Sequence, residues 1–414
     1  MSILIHNARQ VVCVSHSRQT AKLGADMRDL CVLTNVSVGI KDGVIVAVGE
    51  VNPEEYEVVL EAQDHCVLPG LVDAHTHALF SGDRCHEFAM KLEGATYLDI
   101  HKAGGGIMFT VNNVRASSEE DLYAHLMAQL DRMLHFGTTV AEVKSGYGLD
   151  LESEVKMLRV IRRAELSHEI TVVANYLPAH SVVPGHTAAS MAQDIVTRQI
   201  PAIKALKDQG VINPLLIDVF CEKGIFEVEE TRAILEAGRS IGLRPNLHIE
   251  ELKHLGSGVM AAEQQALGVS HLEHLDTEGI AALAQAGTVG IALPSTQYLL
   301  HLPPAPVRQM IDSGMPVALA SDYNPNAPCL SLPLIMHLGC VNLGLTMAEA
   351  LVACTLNAAA SLGKSETYGS IEVGKAGDLV LVKAPSWEHL IYQMGDAPID
   401  VVVKAGRVAA TPRH

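Results

Sequence analysis

The eight cysteines of this chain form no CxxC pair and follow no regular spacing, which argues against a disulfide framework and for reduced, mostly buried thiols in the cytoplasm. No apolar run approaches the roughly 18 residues of a membrane span. The opening residues, Met1-Ser-Ile-Leu-Ile-His-Asn-Ala-Arg9, alternate like a strand and lack the basic flank and long apolar segment of a signal peptide. Cations are scarce as well. The 30 Lys and Arg stand against 47 Asp and Glu, a formal charge of −17, which argues against nucleic acid as a partner. Such a field also slightly repels an anionic small-molecule substrate, so one would need cations placed locally, since salt screens the wider field beyond about 8 Å. There is no internal repeat and no low-complexity tract.

What is present is core-forming residue. Hydrophobic side chains make up 48% and charged ones 19% of the 414 residues, ample for burial and without the signature of disorder. That length suits a large barrel plus a smaller module. Residues 1–65 read as all-β: Gln10-Val-Val-Cys-Val-Ser and Val36-Ser-Val-Gly-Ile alternate, and Asp42-Gly43 predicts a tight hairpin into Val44-Ile-Val-Ala-Val. Residues 365–414 behave likewise, with Gly377-Asp-Leu-Val-Leu-Val-Lys and Val401-Val-Val-Lys-Ala-Gly-Arg-Val as short strands. Neither end is long enough for a core of its own, so the two are expected to meet in one small β-sandwich.

Between them, over 66–364, strands alternate with helices. Eight apolar strands are expected: 66–77, 138–144, 170–176, 215–221, 244–249, 268–272, 288–293 and 317–322. Helices are expected at 151–165, 187–208, 227–241, 257–267, 276–286, 304–313 and 346–361. Eight such strands predict a (β/α)₈ barrel of the α/β class. The first crossover, about 60 residues, is unusually long; within it Ser117-Ser-Glu-Glu caps a helix over 122–134.

A barrel of this kind gathers its chemistry where the strands end. Strand one ends in Leu68-Pro-Gly-Leu-Val-Asp-Ala-His75-Thr-His77. Side chains two apart on a strand share a side, so His75 and His77 point into one cavity. Later strand ends supply Glu142, Lys144 and Tyr147; His180; Cys221 and Glu222; His248 with Glu251; His271; Ser295-Thr-Gln297; and Asp322 with Asn324. His75, His77, His248 and Asp322 make a suitable shell for Zn or Fe with one position open. A cation there acidifies water, and a carboxylate must then move the proton. Glu251 is the candidate for that shuttle, with Glu250 its competitor. His271 is the candidate for steadying the water or the oxyanion, with His274 as a loop residue.

These residues resemble the amidohydrolase superfamily, and within it the imidazolonepropionase family. The closer likeness is carried by Gly82-Asp-Arg84, Gly104-Gly-Gly-Ile, Glu142-Val-Lys-Ser-Gly-Tyr147-Gly-Leu-Asp150, Asp218-Val-Phe-Cys-Glu222, Leu293-Pro-Ser-Thr and Ser321-Asp322-Tyr-Asn324-Pro325. The resemblance implies hydrolysis of 4-imidazolone-5-propanoate to N-formimidoyl-glutamate, one Zn or Fe ion, and a homodimer. It implies that Arg84 binds the carboxylate, where a guanidinium fork suits two oxygens, and that Tyr97, Tyr147, His180 and Asn324 line the substrate. Competing readings are an ion pair of Arg84 with Asp83 or Glu87, and barrel-mouth packing for the two tyrosines. The chain departs from the family pattern at Pro178, usually Gly; at Glu250, usually Asp; and in a shortened approach to His271. Strand four lacks the lysine that bridges two metals in related sites, which favours one metal. The alternatives are deamination of an aminated heterocycle by the same groups, and a non-catalytic barrel, which predicts a broken ligand set.

Overall fold

The computed structural model describes residues 1–94 and 104–411. The chain opens with β1 (Ser2–Val12), β2 (Val32–Lys41), β3 (Val44–Gly49), β4 (Val58–Glu61) and β5 (His65–Pro69). Eight further strands follow: β6 (Leu71–Asp73), β7 (Thr138–Lys144), β8 (Thr171–Ala179), β9 (Leu216–Cys221), β10 (Arg244–Ile249), β11 (Gly268–His271), β12 (Val289–Ala292) and β13 (Val317–Leu319). The chain then returns with β14 (Leu379–Lys383), β15 (Ile399–Lys404) and β16 (Arg407–Ala410).

The two ends meet in one sheet of order β16-β15-β14-β5-β1-β2-β3, with β4 beside β1. Ile3, Ile5, Ile40 and Ile45 share a core with Leu379, Leu381 and Val403, so each terminus covers apolar surface the other cannot. The Asp42-Gly43 hairpin forms as its sequence predicts, both residues taking left-handed φ of 50° and 82°. The remaining strands form a parallel barrel in chain order, β6 to β13. It closes at a single bridge, Thr76 to Tyr323.

One expectation needs correcting at the junction. Residues 66–77 are not one strand: β5 belongs to the terminal sheet and β6 to the barrel, parted at Gly70. A Cβ at Gly70 would lie 2.2 Å from Thr139 Oγ1, and the Gly70 N–H donates to the Asp378 carbonyl at 2.8 Å. No side chain fits where the two sheets exchange the chain. The helix expected over 346–361 is likewise two, Met347–Ala353 and Leu356–Ser361, broken at Thr355 with φ −132° and ψ −96°. That expected over 187–208 carries a π turn at Ile195–Gln199, because Pro201 has no N–H to continue the ladder. Helices at Cys85–Leu92, Ile107–Ala116, Pro294–Leu300 and Leu332–Leu343 were not expected. The last, Leu-Pro-Leu-Ile-Met-His-Leu-Gly-Cys-Val-Asn-Leu, is apolar on most sides and so shows no period to read.

Helix Met347–Ala353 is tied to its neighbours through Glu349, whose buried carboxylate takes Arg308 at 3.0 Å from two nitrogens and Arg28 at 3.0 Å. Burial raises this carboxyl, but Arg308, the Thr346 N–H and Arg28 outweigh it and hold it down at about 2, against an ordinary 4.5. A depressed carboxyl contributes stability above the unfolded value and loses it as pH falls toward the folded one. Glu349→Gln is therefore expected to cost about 2 kcal/mol at pH 7, the buried-pair figure discounted for the part-exposed arginines. The cost shrinks below pH 4.5. Urea unfolding of both chains at pH 7 and pH 4 checks this; an equal difference at the two values would contradict it.

Candidate active site

Barrel closure assembles the site. The Asp322 N–H donates to the His75 carbonyl at 3.0 Å and the His77 N–H to the Tyr323 carbonyl at 2.8 Å, so the seam sets the HxH segment against Asp322. His75 Nε2 lies 3.4 Å and His77 Nε2 3.6 Å from Asp322 Oδ1. His77 Nε2 lies 3.2 Å from His248 Nε2, at the end of β10. Three of these four groups are aimed by a partner behind them. His75 Nδ1 meets Ser270 Oγ at 2.7 Å, and His248 Nδ1 meets Asp218 Oδ1 at 3.0 Å. Thr296 Oγ1 donates to Asp322 Oδ2 at 2.5 Å, which leaves Oδ1 facing the histidines.

Two of the converging atoms have no hydrogen-bond partner among the described residues. His75 Nε2 and Asp322 Oδ1 are buried and unsatisfied, an expensive arrangement unless something else meets them. Burial first, then Lys144 and neighbouring imidazoles, push His75 well below its usual range; burial, then His180 and His248, do the same to His77. Both rings are therefore neutral at pH 7, the form that binds metal. Three overlapping triads can hold an ion: His75, His77 and Asp322; His75, His248 and His271; and His77, His180 and His248. The donor set fits a cation of the zinc or iron type.

Around this cluster stand the other expected residues. His271 Nε2 is 3.7 Å from Glu251 Oε2. Burial, then Glu273, Asp322 and Glu222, raise the Glu251 carboxyl well above the ordinary range. His274 lies outside the cluster, its N–H bound to the Glu250 carbonyl at 2.8 Å. Glu250 is not solvated: it is fully buried and accepts from Leu255 N, Ser257 N and Ser257 Oγ. Glu250, His271 and Asp322 have φ of 56°, 77° and 48°. Such left-handed backbone costs about 1–2 kcal/mol per residue and persists where the surroundings over-determine it.

His180 stacks on His77, ring centres 4.8 Å apart and 15° from parallel, and its Nδ1 meets the Gly146 carbonyl at 3.0 Å. Burial, then His248, bring it down to about 3. Pro178 falls where the β8–β9 register slips between Tyr176 and Ala179, so the ladder absorbs it. Tyr147 is buried, its ring 5.2 Å from His180. Arg84 pairs with Glu87 through two bonds of 2.9 and 2.7 Å; Glu87 is buried and Arg84 partly so. Arg84 also lines a cavity of about 790 Å³ with Phe80, Phe88 and Tyr323. Asn324 is committed to its own turn, donating to the Asp322 carbonyl and accepting from Asn326 N and Ala327 N. Tyr97 lies outside the described residues.

Sequence reasoning passed over the residues that aim the others. Ser270 and Asp218 sit beside quoted candidates, but nothing in a linear sequence pairs Ser270 with His75. Glu154 accepts the backbone N–H groups of Gly146, Gly148 and Leu149 and so shapes the Tyr147 loop. Glu273, buried and raised to about 8 by burial, with Asp322 and Glu222 adding, faces His271 Nδ1 at 4.0 Å.

A parallel barrel with histidines and an aspartate at its strand ends defines a class of hydrolase, and the chain belongs to the amidohydrolase family, whose profile matches residues 66–409. Full-length similarity narrows this further. The chain is 48% identical to the "probable imidazolonepropionase" of Mus musculus, covering 98% of each chain. It is 50% identical to that of Danio rerio, covering 95% of this chain and 93% of the relative. Among solved structures, a triazine hydrolase variant superposes with a TM-score of 0.79 at 17% identity, over 100% of this chain and 95% of that one. The guanine deaminase of C. acetobutylicum superposes at 0.69 and 15%, over 99% and 100%. At such identities these two speak to the fold alone.

Proposed function

We propose that this chain opens the imidazolone ring of 4-imidazolone-5-propanoate by hydrolysis, giving N-formimidoyl-glutamate. The observation that carries the reading is the meeting of His75 and His77 with Asp322 Oδ1 and of His77 with His248, with Glu251 beside His271 and Tyr147 beside His180. We assign His75, His77, His248 and Asp322 to one Zn or Fe ion. A second ion is disfavoured because the fourth barrel strand, β9, carries no lysine to bridge two ions, and Glu222 just beyond it already accepts the Leu252 and Lys253 backbone N–H groups.

A cation held by these four residues would supply Lewis acidity to water and to the ring carbonyl. Glu251 takes the proton from the attacking water, and the water oxygen bonds to the carbonyl carbon. The ring C–N bond then breaks while Glu251 returns the proton to the departing nitrogen. His271 donates to the developing oxyanion. Arg84, already aimed by Glu87, takes the propanoate carboxylate, and Tyr147 and His180 line the ring. Tyr97 and Asn324 remain proposed substrate contacts, Asn324 through the turn it builds. The proposed domain division is a barrel over 66–364 between sandwich halves 1–65 and 365–414, with residues 66–69 pairing in the terminal sheet as part of β5.

The test is metal analysis of the purified protein with a turnover assay on fresh 4-imidazolone-5-propanoate. About one ion per chain with turnover is expected; an ion with no turnover of this substrate would sink the substrate and keep the class. Arg84→Ala is expected to lower kcat/KM by about 10- to 100-fold, the worth of a charged hydrogen bond, mainly through KM. Arg84→Lys restores part of it. A loss confined to kcat would contradict the carboxylate role.

A homodimer and a cytoplasmic location are proposed with this reading. Val341, Tyr392 and Met394 expose apolar surface near where helix Leu332–Leu343 meets helix His389–Tyr392, a patch that suits a partner copy. Light scattering at micromolar concentration tests the dimer. All eight cysteines are free, which suits a reducing compartment. Among the described residues no helix is long and apolar enough to cross a membrane.

A further inference from the structure

Beneath the histidine cluster lies a charged group that the reaction does not use. Glu142, Lys144 and Asp218 are each fully buried, on β7 and β9. Lys144 Nζ sits 2.5 Å from Glu142 Oε1 and 2.9 Å from Asp218 Oδ2. Burying three charges costs far more than an apolar filling of similar volume, and here two of the three go on to hold the segments that carry the histidines. From Asp218, Oδ1 accepts His248 Nδ1–H at 3.0 Å and the His248 backbone N–H at 3.1 Å. From Glu142, Oε2 accepts the N–H of Thr76, the residue between His75 and His77, at 2.9 Å. The Glu142 carbonyl accepts Thr76 Oγ1–H at 2.6 Å, and Asn175 Nδ2 steadies Oε1 at 2.7 Å.

We infer that Lys144 is a positioning residue: by clamping Glu142 and Asp218 together it fixes the HxH segment and the His248 ring at the mutual distance a bound cation needs. The clamp spans β6, β7, β9 and β10, and no backbone ladder joins β6 to β10 directly. Asp218 also decides which nitrogen of His248 carries the proton, keeping Nε2 free for the ion. Lys144 itself is fully buried and held by the two carboxylates, so it acts through the groups it holds. The inference rests on the four-residue metal assignment proposed above and not on the identity of the substrate.

Lys144→Met leaves two buried carboxylates facing one another and can unfold the chain. The informative variant is therefore Glu142→Gln with Lys144→Met, which keeps the charge of the group at −1 while removing the clamp. The metal-free full chain is titrated with Co²⁺, read by its visible absorption, and with Zn²⁺ against a chelator. We expect the double variant to melt within a few degrees of the unaltered metal-free chain and to bind either ion about 10- to 100-fold more weakly. The Co²⁺ bands shift as the ligand geometry loosens. Affinity within about threefold of the unaltered chain with an unchanged Co²⁺ spectrum would overturn the inference. Because neither readout uses turnover, a wrong substrate leaves it intact.

Discussion

Glu251→Gln is expected to lower turnover of 4-imidazolone-5-propanoate by about 10²- to 10⁴-fold, the worth of a positioned proton carrier, while the protein keeps its full metal content. The amide has the shape of the carboxyl and none of its basicity. Among the described residues Glu251 belongs to none of the groups that could hold the ion, and it lies 3.7 Å from His271 Nε2, so removing its charge should leave the ion in place. Burial and three surrounding carboxyl groups raise its affinity for a proton, and a nearby cation lowers that affinity again by favouring the carboxylate. That balance suits a group that must both accept and return a proton at pH 7. Steady-state kinetics beside metal analysis is the check. If turnover falls with metal content, Glu251 is holding the ion; if turnover survives, Glu273, the other buried carboxyl facing His271, becomes the carrier to test.

Removing a ligand should act differently. Asp322→Ala is expected to lose the ion and with it essentially all turnover, with metal affinity falling by more than about 100-fold, beyond what outer partners alone are worth. Asp322 supplies the one carboxylate among the four assigned groups, and Thr296 has already turned its other oxygen away. The partial variant Thr296→Val keeps the carboxylate but lets it rotate, so it should weaken the ion by about tenfold. Chelator competition reads both. Full occupancy in Asp322→Ala would move the ion to one of the two triads without Asp322, either His75, His248 and His271 or His77, His180 and His248, whose atoms also lie close enough to hold one. The two variants thus separate the triad that contains Asp322 from the two that do not.

Much of this site was legible in the linear chain. Strand ends are legible because a buried parallel strand is a short apolar run and the first polar residue after it faces the barrel mouth. His75, His77, His248, His271 and Asp322 all fall at such places. The Asp42-Gly43 hairpin was legible for a local reason, a pair of residues tolerant of left-handed backbone. Helix Leu332–Leu343 was not, since it is apolar nearly all round, and neither was the break at Gly70, which depends on Thr139 in another strand.

By itself, then, the sequence determined the kind of element at most positions, the β-rich character of both termini, and which residues stand at the barrel mouth. These depend on periodicity and on residue chemistry, which are local. Only the tertiary structure decided which nitrogen of each histidine is free, because Ser270 and Asp218 reach His75 and His248 from strands 195 and 30 residues away. It alone separated the buried, loop-holding Glu250 from Glu251, and turned Asn324 inward to its own turn. It alone brought Glu142 and Lys144 beneath the cluster. Those are facts of through-space contact between strands brought side by side by closure of the barrel, and no spacing along the chain encodes them.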